Sequence, residues 1–341
     1  AFGTWAVVTP HDNPLDPGDG ATFNPWVKLT PGGVTLIVPH VDLGQGAASM
    51  QAMLIAEEMD LAMDGFATDP GPPAPAYWNT AMADDALPFL PTDRGTLAQA
   101  ARGAAGAAIK LMGVQLTGGS TSTADSFDKL RMAGAVARET IKEAAARRTG
   151  MDRAALGTQD GAVVLPDGGR IPYTDLAADT ADIDPVTDVA LRDPSQWRLI
   201  GHPVERIDMA AKSTGRQIYG IDLAPEGMLH ATVRMSPRRG TLDGFDVSAA
   251  ITMRGVRDIL EIPGGVAVVA DNTWRAFRAI DAIGFDWGPA PYPADQADHW
   301  AGVAASFGDD RLDREWLSHG DVDAAMQADA ITAEYRAPYV A

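Results

Sequence analysis

Two glycine-rich turns each lead the chain directly into a helix. The first is Gly44-Gln45-Gly46, before a helix that begins near Ala47, and the second is Gly118-Gly119-Ser120-Thr121-Ser122, before a helix that begins near Ala124. A helix N-terminus offers unpaired N–H groups and a partial positive charge, and glycine lets the backbone approach a ligand closely. Two such turns fit a long anionic ligand.

Helix capping is the alternative interpretation of the second turn. Ser122 or Thr123 as the N-cap residue, with Asp125 in the first helical turn, would account for the pattern without any ligand. The usual nucleotide-binding loops do not match, because the first turn lacks the third glycine of a dinucleotide fingerprint and the second has no G-K-[ST] lysine. NAD and ATP are therefore poor candidates, and capping and anion binding both stay open on these residues alone.

The remaining pattern predicts short strands and helices, which together favour an α+β fold. Runs of β-branched and apolar residues predict strands at 26–29, 34–38, 162–165, 170–172, 228–235 and 266–269. Apolar residues at helical spacing and other helix signals predict helices at 47–61, 97–114, 124–148, 247–254 and 273–283. The acidic, proline-containing residues 178–194 suggest a linker, and residues 215–287 suggest a second compact module.

The composition of the 341-residue chain excludes several classes of protein. Lysine and arginine number 27 against 46 aspartates and glutamates, and the net charge of −19 opposes binding to nucleic-acid phosphates. The absence of cysteine excludes disulfides, a protein-held iron–sulfur cluster, a cysteine nucleophile and zinc–thiolate sites. The sequence contains no run of 18 uncharged apolar residues, so it predicts no membrane span. The six histidines are scattered without an i, i+4 pair, so we assign no metal ligand to this chain.

A serine-hydrolase hypothesis has weak support. Ser126 and Lys129 have the S-x-x-K spacing, which places a lysine one helical turn from a serine nucleophile. The accompanying S-D-N and K-T-G elements are missing, and G-x-S-x-G is absent as well.

A family resemblance extends in order over nearly the whole chain. Val41-Asp42-Leu43-Gly44-Gln45-Gly46, followed by Ala56-Glu57-Glu58-Met59, resembles the G-Q-G segment and A-E-E-L helix of the large, molybdenum-binding subunit of the xanthine oxidase family. Gln115-Leu116-Thr117-Gly118-Gly119-Ser120-Thr121-Ser122 is similar to the T-G-G-S-T-S turn of one branch of this family, the aldehyde dehydrogenase-like branch of the isoquinoline 1-oxidoreductase beta subunits. Further matching segments are residues 198–201, 206–208, 212–215, 219–222, 227–231, 255–257, 264–270, 320–325 and 333–335.

The resemblance implies an α+β fold in which a molybdopterin-binding segment is followed by an α/β-hammerhead-like domain. On this basis residues 1–195 form the first molybdopterin-binding segment, and residues 196–305 form a linker and the hammerhead-like domain. Residues 306–341 would then begin a second molybdopterin-binding region that is incomplete in this chain.

The resemblance also implies a cofactor. It would be molybdenum held by the dithiolene of a molybdopterin, commonly the cytosine dinucleotide form, so that the sulfur ligands come from the cofactor and not from cysteine. The implied cofactor-binding residues are Gly44, Gln45 and Gly46 in the first turn and Thr117, Gly118, Gly119, Ser120, Thr121 and Ser122 in the second. The 2Fe-2S clusters are expected on a separate electron-transfer subunit.

The function implied by the resemblance is that of a molybdenum hydroxylase subunit. Such an enzyme oxidises an aldehyde or N-heteroaromatic substrate with water-derived oxygen, and this chain would hold one side of the cofactor. The alternative is a non-catalytic or repurposed, for example hydrolytic, processed chain that keeps the family scaffold.

Two motifs of the family are not found in this chain. They are the G-G-x-F-G loop near the molybdenum and the late G-x-G-E, whose glutamate is the general base. We therefore assign no catalytic residue here and expect a second chain that carries the remaining molybdopterin-binding half and this glutamate; the isolated chain would be inactive. Members of this branch often have a twin-arginine leader, which favours a periplasmic location.

Overall fold

The computed structural model describes residues 11–90, 92–308, 313–314, 319–326 and 330–338. It divides into two compact units, Ala1–Gln217 and Ile218–Ala341. The strands of the first unit are β1 (Ala21–Asn24), β2 (Val27–Thr30), β3 (Gly33–Ile37), β4 (Ala67–Asp69), β5 (Gly157–Gln159), β6 (Ala162–Val164) and β7 (Arg170–Pro172). Its helices are α1 (Ala47–Met59), α2 (Thr96–Met112), α3 (Ser122–Thr149), α4 (Ala177–Thr180) and α5 (Met209–Ser213).

The first sheet has the strand order β1-β2-β3-β4, and one of its faces supplies the core of this unit. Its first three strands are antiparallel, and β4 is parallel to β3. Val27 and Leu29 are fully buried, whereas Lys28 between them is only partly buried, which is the period-two alternation of a strand with one covered face. The strands predicted at 26–29 and 34–38 are thus confirmed, each with slightly different ends.

Helices α1 and α3 pack closely together beside this sheet. Gly134 lies where the helices approach, since a Cβ atom built on it would lie 2.6 Å from the Ile55 carbonyl oxygen. Leu54, Leu130 and Ile141 are buried in the same core. Because glycine has no side chain, Gly134 allows α1 and α3 to approach closely.

Residues 186–200 are irregular but are bonded to these helices, so the prediction of a linker at 178–194 is wrong. Glu58 of α1, which is fully buried, accepts hydrogen bonds from the Arg192 N–H at 3.1–3.2 Å. Glu57 accepts from the N–H groups of Arg198, Leu199 and Ile200 at 2.7–3.1 Å. Buried carboxylates require such donors, and they keep this segment in the first unit. The compact units divide after Gln217, and the predicted family-domain boundary at 195/196 stays a prediction.

The second unit is a small α+β module. Its strands are β8 (His230–Met235), β9 (Leu242–Asp246), β10 (Val256–Ile262), β11 (Gly265–Ala270) and β12 (Gly284–Trp287), and its helices are α6 (Thr273–Ile280), α7 (Gln296–Ala305) and α8 (Val322–Ala325). An antiparallel sheet has the order β10-β11-β8, and β12 pairs with β9. Helix α6 packs on this sheet, and Val266, Val268 and Ile280 are buried between them.

The sequence predictions for this unit are met unevenly. The strands expected at 228–235 and 266–269 and the helix at 273–283 are present with shifted ends. The helix predicted at 247–254 is wrong: the Ser248 N–H is bonded to the Asp246 side chain, and successive turns follow, in which the N–H groups of Ala250 and Met253 bond to carbonyls three residues earlier. The hammerhead-like identity of this module stays a prediction. Of the expected second molybdopterin-binding region, residues 309–312, 315–318, 327–329 and 339–341 lie outside the described residues.

In the described part of the chain, no helix has both the length and the apolar character needed to cross a membrane.

Substitution of Gly134 by alanine should destabilise the first unit. Its Cβ would lie 2.6 Å from the Ile55 carbonyl oxygen, so α1 and α3 would have to move apart, at a cost of about 1–3 kcal/mol. Gly103→Ala is the matched control, since nothing lies within 4 Å of its Cβ position in α2. There the better helix propensity of alanine should stabilise by about 0.5–1 kcal/mol. Urea unfolding measures both free energies, and equal changes would contradict this account of α1–α3 packing.

Candidate functional site

The two glycine turns lie side by side in the first unit. The Val41 N–H, just before the first turn, donates to Thr117 Oγ1 at the start of the second turn at 2.9 Å. The buried His40 ring lies between the same segments, with Nδ1 3.5 Å from Thr117 Oγ1 and Nε2 3.4 Å from Asp125 Oδ2. The structure therefore brings together two segments that are 76 residues apart in the sequence.

Asp42 accepts hydrogen bonds from backbone N–H groups of the first turn. Its carboxylate accepts from the Gly44 N–H at 2.8 Å and from the Ala48 N–H, in the first turn of α1, at 3.1 Å. Burial raises the pKa of Asp42, but bonds from the backbone of Gly44, Ala48 and Gly46 and the charge of Arg206 outweigh burial and keep the pKa below its ordinary value. The N-terminus of α1 therefore already has an anionic partner from within the chain.

Gln45 stabilises its own loop with its side chain. Its Oε1 accepts from the Leu43 N–H at 2.5 Å, and its Nε2 donates to the Val41 carbonyl oxygen at 2.9 Å. The Arg206 guanidinium donates to the Gly44 carbonyl oxygen at 2.8 Å and makes a salt bridge with Asp208. The side chain expected to bind a cofactor is thus engaged within the loop, so the loop has a defined shape.

The second turn is tight and has two residues with left-handed backbone. Gly119 and Ser120 are consecutive residues with positive φ, +60° and +57°. Thr121 donates its hydroxyl to the Gly118 carbonyl oxygen at 2.7 Å, and its N–H bonds to the same oxygen at 3.2 Å. The turn is therefore closed by its own hydrogen bonds immediately before α3 begins.

Helix α3 begins at Ser122 without a capping side chain. Thr121 is the N-cap residue and makes no side-chain cap bond, so capping by Ser122 or Thr123 is wrong as an explanation of this turn. Among the described residues, no acceptor is bonded to the N–H groups of Ser122, Thr123 and Ala124. These groups and the positive end of a 28-residue helix remain available to an anion.

Asn79 supports the second turn from behind, and sequence reasoning missed it. It is fully buried, and its Nδ2 donates to the Leu116 carbonyl oxygen at 3.0 Å and to Thr121 Oγ1 at 2.7 Å. Its backbone N–H donates to the Val114 carbonyl oxygen at 2.8 Å, and its Oδ1 accepts from the Ala81 N–H at 3.1 Å. A single asparagine outside any motif gives no signal in the sequence, because its partners come from distant positions.

A buried ion pair lies below the same turn. The Asp125 carboxylate pairs with Lys129 and accepts from the Thr80 N–H at 2.8 Å. Lys129 also donates to the Trp78 carbonyl oxygen at 2.7 Å and lies 5.1 Å from the centre of the Trp78 ring. Burial raises the pKa of Asp125, but the bonds from His40, Lys129 and Thr80 together lower it by more, so the pKa lies below its ordinary value of 3.8.

This ion pair does not favour the serine-hydrolase hypothesis. Ser126 is fully buried, and within the described residues its hydroxyl has no hydrogen-bond partner. Lys129 bonds to Asp125 and to the Trp78 carbonyl instead of Ser126. In the described part of the chain there is also no group of three or more His, Asp or Glu side chains that could hold a metal ion.

Asp125→Asn should destabilise the first unit by about 3 kcal/mol at neutral pH, because it leaves the Lys129 ammonium buried without its counter-ion. The folded pKa of Asp125 is lowered, so its contribution is complete above pH 3.8 and is lost as the pH falls through the folded pKa. The difference in unfolding free energy between wild type and Asp125→Asn should therefore become smaller only at strongly acidic pH.

Asp128→Asn is the control for this prediction, because Asp128 lies on the same helix and is exposed. Its effect should be within about 0.5 kcal/mol. Denaturant titrations between pH 7 and pH 2.5 measure both variants. If the loss of unfolding free energy in Asp125→Asn stayed constant over this pH range, the buried ion pair of Asp125 and Lys129 would not be the cause of the destabilisation.

Three curated relatives match most of this chain, whereas no family model matches it. It is 29% identical to the membrane-bound aldehyde dehydrogenase [pyrroloquinoline-quinone] of Gluconacetobacter polyoxogenes, over 83% of this chain and 34% of the relative. It is 28% identical to the beta subunit of the isoquinoline 1-oxidoreductase of Brevundimonas diminuta, over 85% and 38%. It is 27% identical to a nicotinate dehydrogenase subunit of Pseudomonas putida, over 88% and 23%.

A solved structure of a Cu,Mo-CO dehydrogenase also matches, with 20% identity over 35% of this chain and 19% of that chain. Its TM-score of 0.26 is too low to support an argument about the fold. The sequence similarities confirm the family recognised from the motifs: the chain is a homologue of the subunits named isoquinoline 1-oxidoreductase beta, aldehyde dehydrogenase and nicotinate dehydrogenase, and it spans 23–38% of their length.

Proposed function

We propose that this chain is part of a molybdenum-dependent oxidoreductase and holds one flank of a molybdopterin cofactor. The observation that carries the proposal is the contact between the two glycine turns. In the second turn, the N–H groups at the start of α3 have no bonded acceptor among the residues that the structure describes. The names of the three relatives, which act on aldehydes, isoquinoline or nicotinate, support the reaction class. The substrate is proposed as an aldehyde or an N-heteroaromatic compound.

The two glycine turns fit different parts of such a cofactor. The second turn, residues 117–122, suits its phosphate groups, because backbone N–H groups and the positive end of α3 favour negative charge. The first turn suits a neutral polar part, because the Asp42 carboxylate already bonds to the N–H groups there and would repel a phosphate. We therefore assign the pyrophosphate to the second turn and the pterin side to Gly44, Gln45 and Gly46.

The chemistry depends on the cofactor and on other chains. A bound molybdenum centre supplies two-electron oxidation with oxygen derived from water, and this chain contributes binding and orientation. Its own residues fix the two turns at a set distance through the bond between Val41 and Thr117. A general base is required, because the attacking oxygen must lose a proton, and we propose that it comes from a second chain.

The form of the cofactor can be decided by a direct chemical measurement. The cytosine dinucleotide form is proposed from the family resemblance, whereas one relative, the aldehyde dehydrogenase of Gluconacetobacter polyoxogenes, is named for pyrroloquinoline quinone. Both ligands are anionic, but only the first brings a metal together with a pyrophosphate. Metal analysis of the purified assembly should find about one molybdenum per complex, and mass spectrometry of the extracted cofactor should find the nucleotide. A quinone without molybdenum would overturn the proposal, as would a complex without any cofactor.

Gly119→Val should lower the cofactor content of the assembly. Gly119 has φ +60°, which a β-branched residue tolerates poorly, so the second turn would change shape. Gly150→Val is the matched control, because Gly150 has φ +71° at the opposite end of the same helix, with no atom within 4 Å of its Cβ position. Both variants should lose about 1 kcal/mol or more of stability. Only Gly119→Val should lose molybdenum, and full occupancy in the folded variant would contradict the site.

A heteromeric assembly completes the proposal. We propose a second chain with the remaining cofactor-binding half and a separate subunit with 2Fe-2S clusters, both in the periplasm. This chain, tagged in its native host and isolated from a periplasmic extract, should co-purify with these chains in size-exclusion chromatography with mass spectrometry. Its interface should bury more than about 2,000 Å², as obligate complexes do. Recovery of an unaccompanied monomer would contradict the assembly, and recovery from the cytoplasm alone would contradict the location.

A further inference from the structure

Asn79 is bonded to both ends of a long segment of the chain. We call residues 80–116 the arm. It begins after Asn79, and near its end the carbonyl oxygens of Val114 and Leu116 accept the Asn79 backbone N–H at 2.8 Å and the Asn79 Nδ2 at 3.0 Å. Within the arm, the buried residues of α2 are Ala98 and Lys110. The arm is therefore attached at its base and again at Lys110, whose ammonium lies 4.8 Å from the centre of the Trp78 ring, while most of α2 is open to solvent.

The same side chain also fixes the second glycine turn. Asn79 Nδ2 donates to Thr121 Oγ1 at 2.7 Å, and Thr121 Oγ1 in turn donates to the Gly118 carbonyl oxygen at 2.7 Å. Hydrogen bonds in series polarise and strengthen one another. Asn79 therefore supports the bond that holds the Gly118 carbonyl oxygen on the side of Thr121.

The direction of the next N–H group follows from this bond. The peptide between Gly118 and Gly119 is planar and trans, so its C=O and N–H point in opposite directions. With the carbonyl directed toward Thr121, the Gly119 N–H must point away from it. Gly119 is exposed, and no acceptor among the described residues is bonded to its N–H, so this group is free to bind a ligand.

We propose that Asn79 is a positioning residue that presets the Gly119 N–H for an anion and couples the second turn to the arm. The inference rests on the proposed function in one respect, namely that the second turn binds an anion. A single amide group bonds to the arm and to the turn, so loss of this group releases both of them at once. The ligand class is a phosphate or pyrophosphate group, as in the nucleotide part of the proposed cofactor.

Asn79→Asp tests the inference in the full chain. A carboxylate cannot donate, so the bonds to Leu116 and Thr121 are lost, and the Thr121 hydroxyl turns from Gly118 to the new carboxylate. Asn24→Asp is the matched control, because Asn24 is also buried and donates from Nδ2 to the Ala133 carbonyl oxygen at 2.9 Å. Both variants exchange an amide for a carboxylate in the same unit, but only the first alters the turn.

Two measurements separate positioning from a merely structural role. Calorimetric titration with inorganic pyrophosphate should give about tenfold weaker binding for Asn79→Asp than for Asn24→Asp. Hydrogen exchange followed by mass spectrometry should show faster exchange in peptides of both the turn and the arm in Asn79→Asp alone. Equal affinities, or exchange that rises equally in the two variants, would overturn the inference. A wild-type chain that does not bind pyrophosphate, but whose turn and arm still exchange together in Asn79→Asp, would contradict the proposed function while keeping the coupling.

Thr121→Val keeps the test valid if Asn79→Asp does not fold. It removes the hydroxyl between Asn79 and Gly118 but leaves the bond from Asn79 to Leu116. Pyrophosphate binding should weaken and exchange of the turn should increase, while exchange of the arm stays as in wild type. An unchanged affinity and an unchanged turn would overturn the inference.

Discussion

The assembly of the first unit depends on two adjacent buried carboxylates in α1. Glu57 is almost fully buried and accepts three consecutive backbone N–H groups, from Arg198 to Ile200. Glu58 is fully buried, pairs with Arg131 and Arg138 of α3, and accepts the Arg192 N–H. A buried charge without partners costs far more than any single contact gains. These two side chains therefore require α3 and the segment after residue 185 to lie against α1.

The elements with regular patterns could be predicted from the sequence. The hairpin of β2 and β3, the helices α1, α2 and α3, and the small strands β6 and β7 all follow from alternation, helical spacing and turn residues. The failures have physical causes. Residues 178–194 resemble a linker in composition, but Glu58 and Thr140 bond to their backbone, and such distant partners are invisible in the local sequence. Residues 247–254 have helical spacing, but local side-chain bonds favour turns.

The candidate site shows the same division between local and distant information. The glycine turns are visible as motifs, and their shared suitability for a ligand could be inferred from the chemistry of helix N-termini. Their difference could not be predicted, because it depends on how Asp42 folds back onto α1 and on which residues support the second turn. Asn79 and His40 are buried polar residues from two distant segments, and only the fold brings them to Thr121 and Thr117.

The closed base of the arm has a consequence for variation in length. Since the Asn79 N–H and the Val114 carbonyl oxygen are joined, the segment between them begins and ends at the same place, and within it residues 92–97 are exposed. The entropic cost of closing a longer flexible loop rises only with the logarithm of its length. Insertions at the exposed residues 92–95, before α2 begins, should therefore be tolerated with little effect on either glycine turn. A change of the same size between Leu116 and Thr121 would disrupt the site directly.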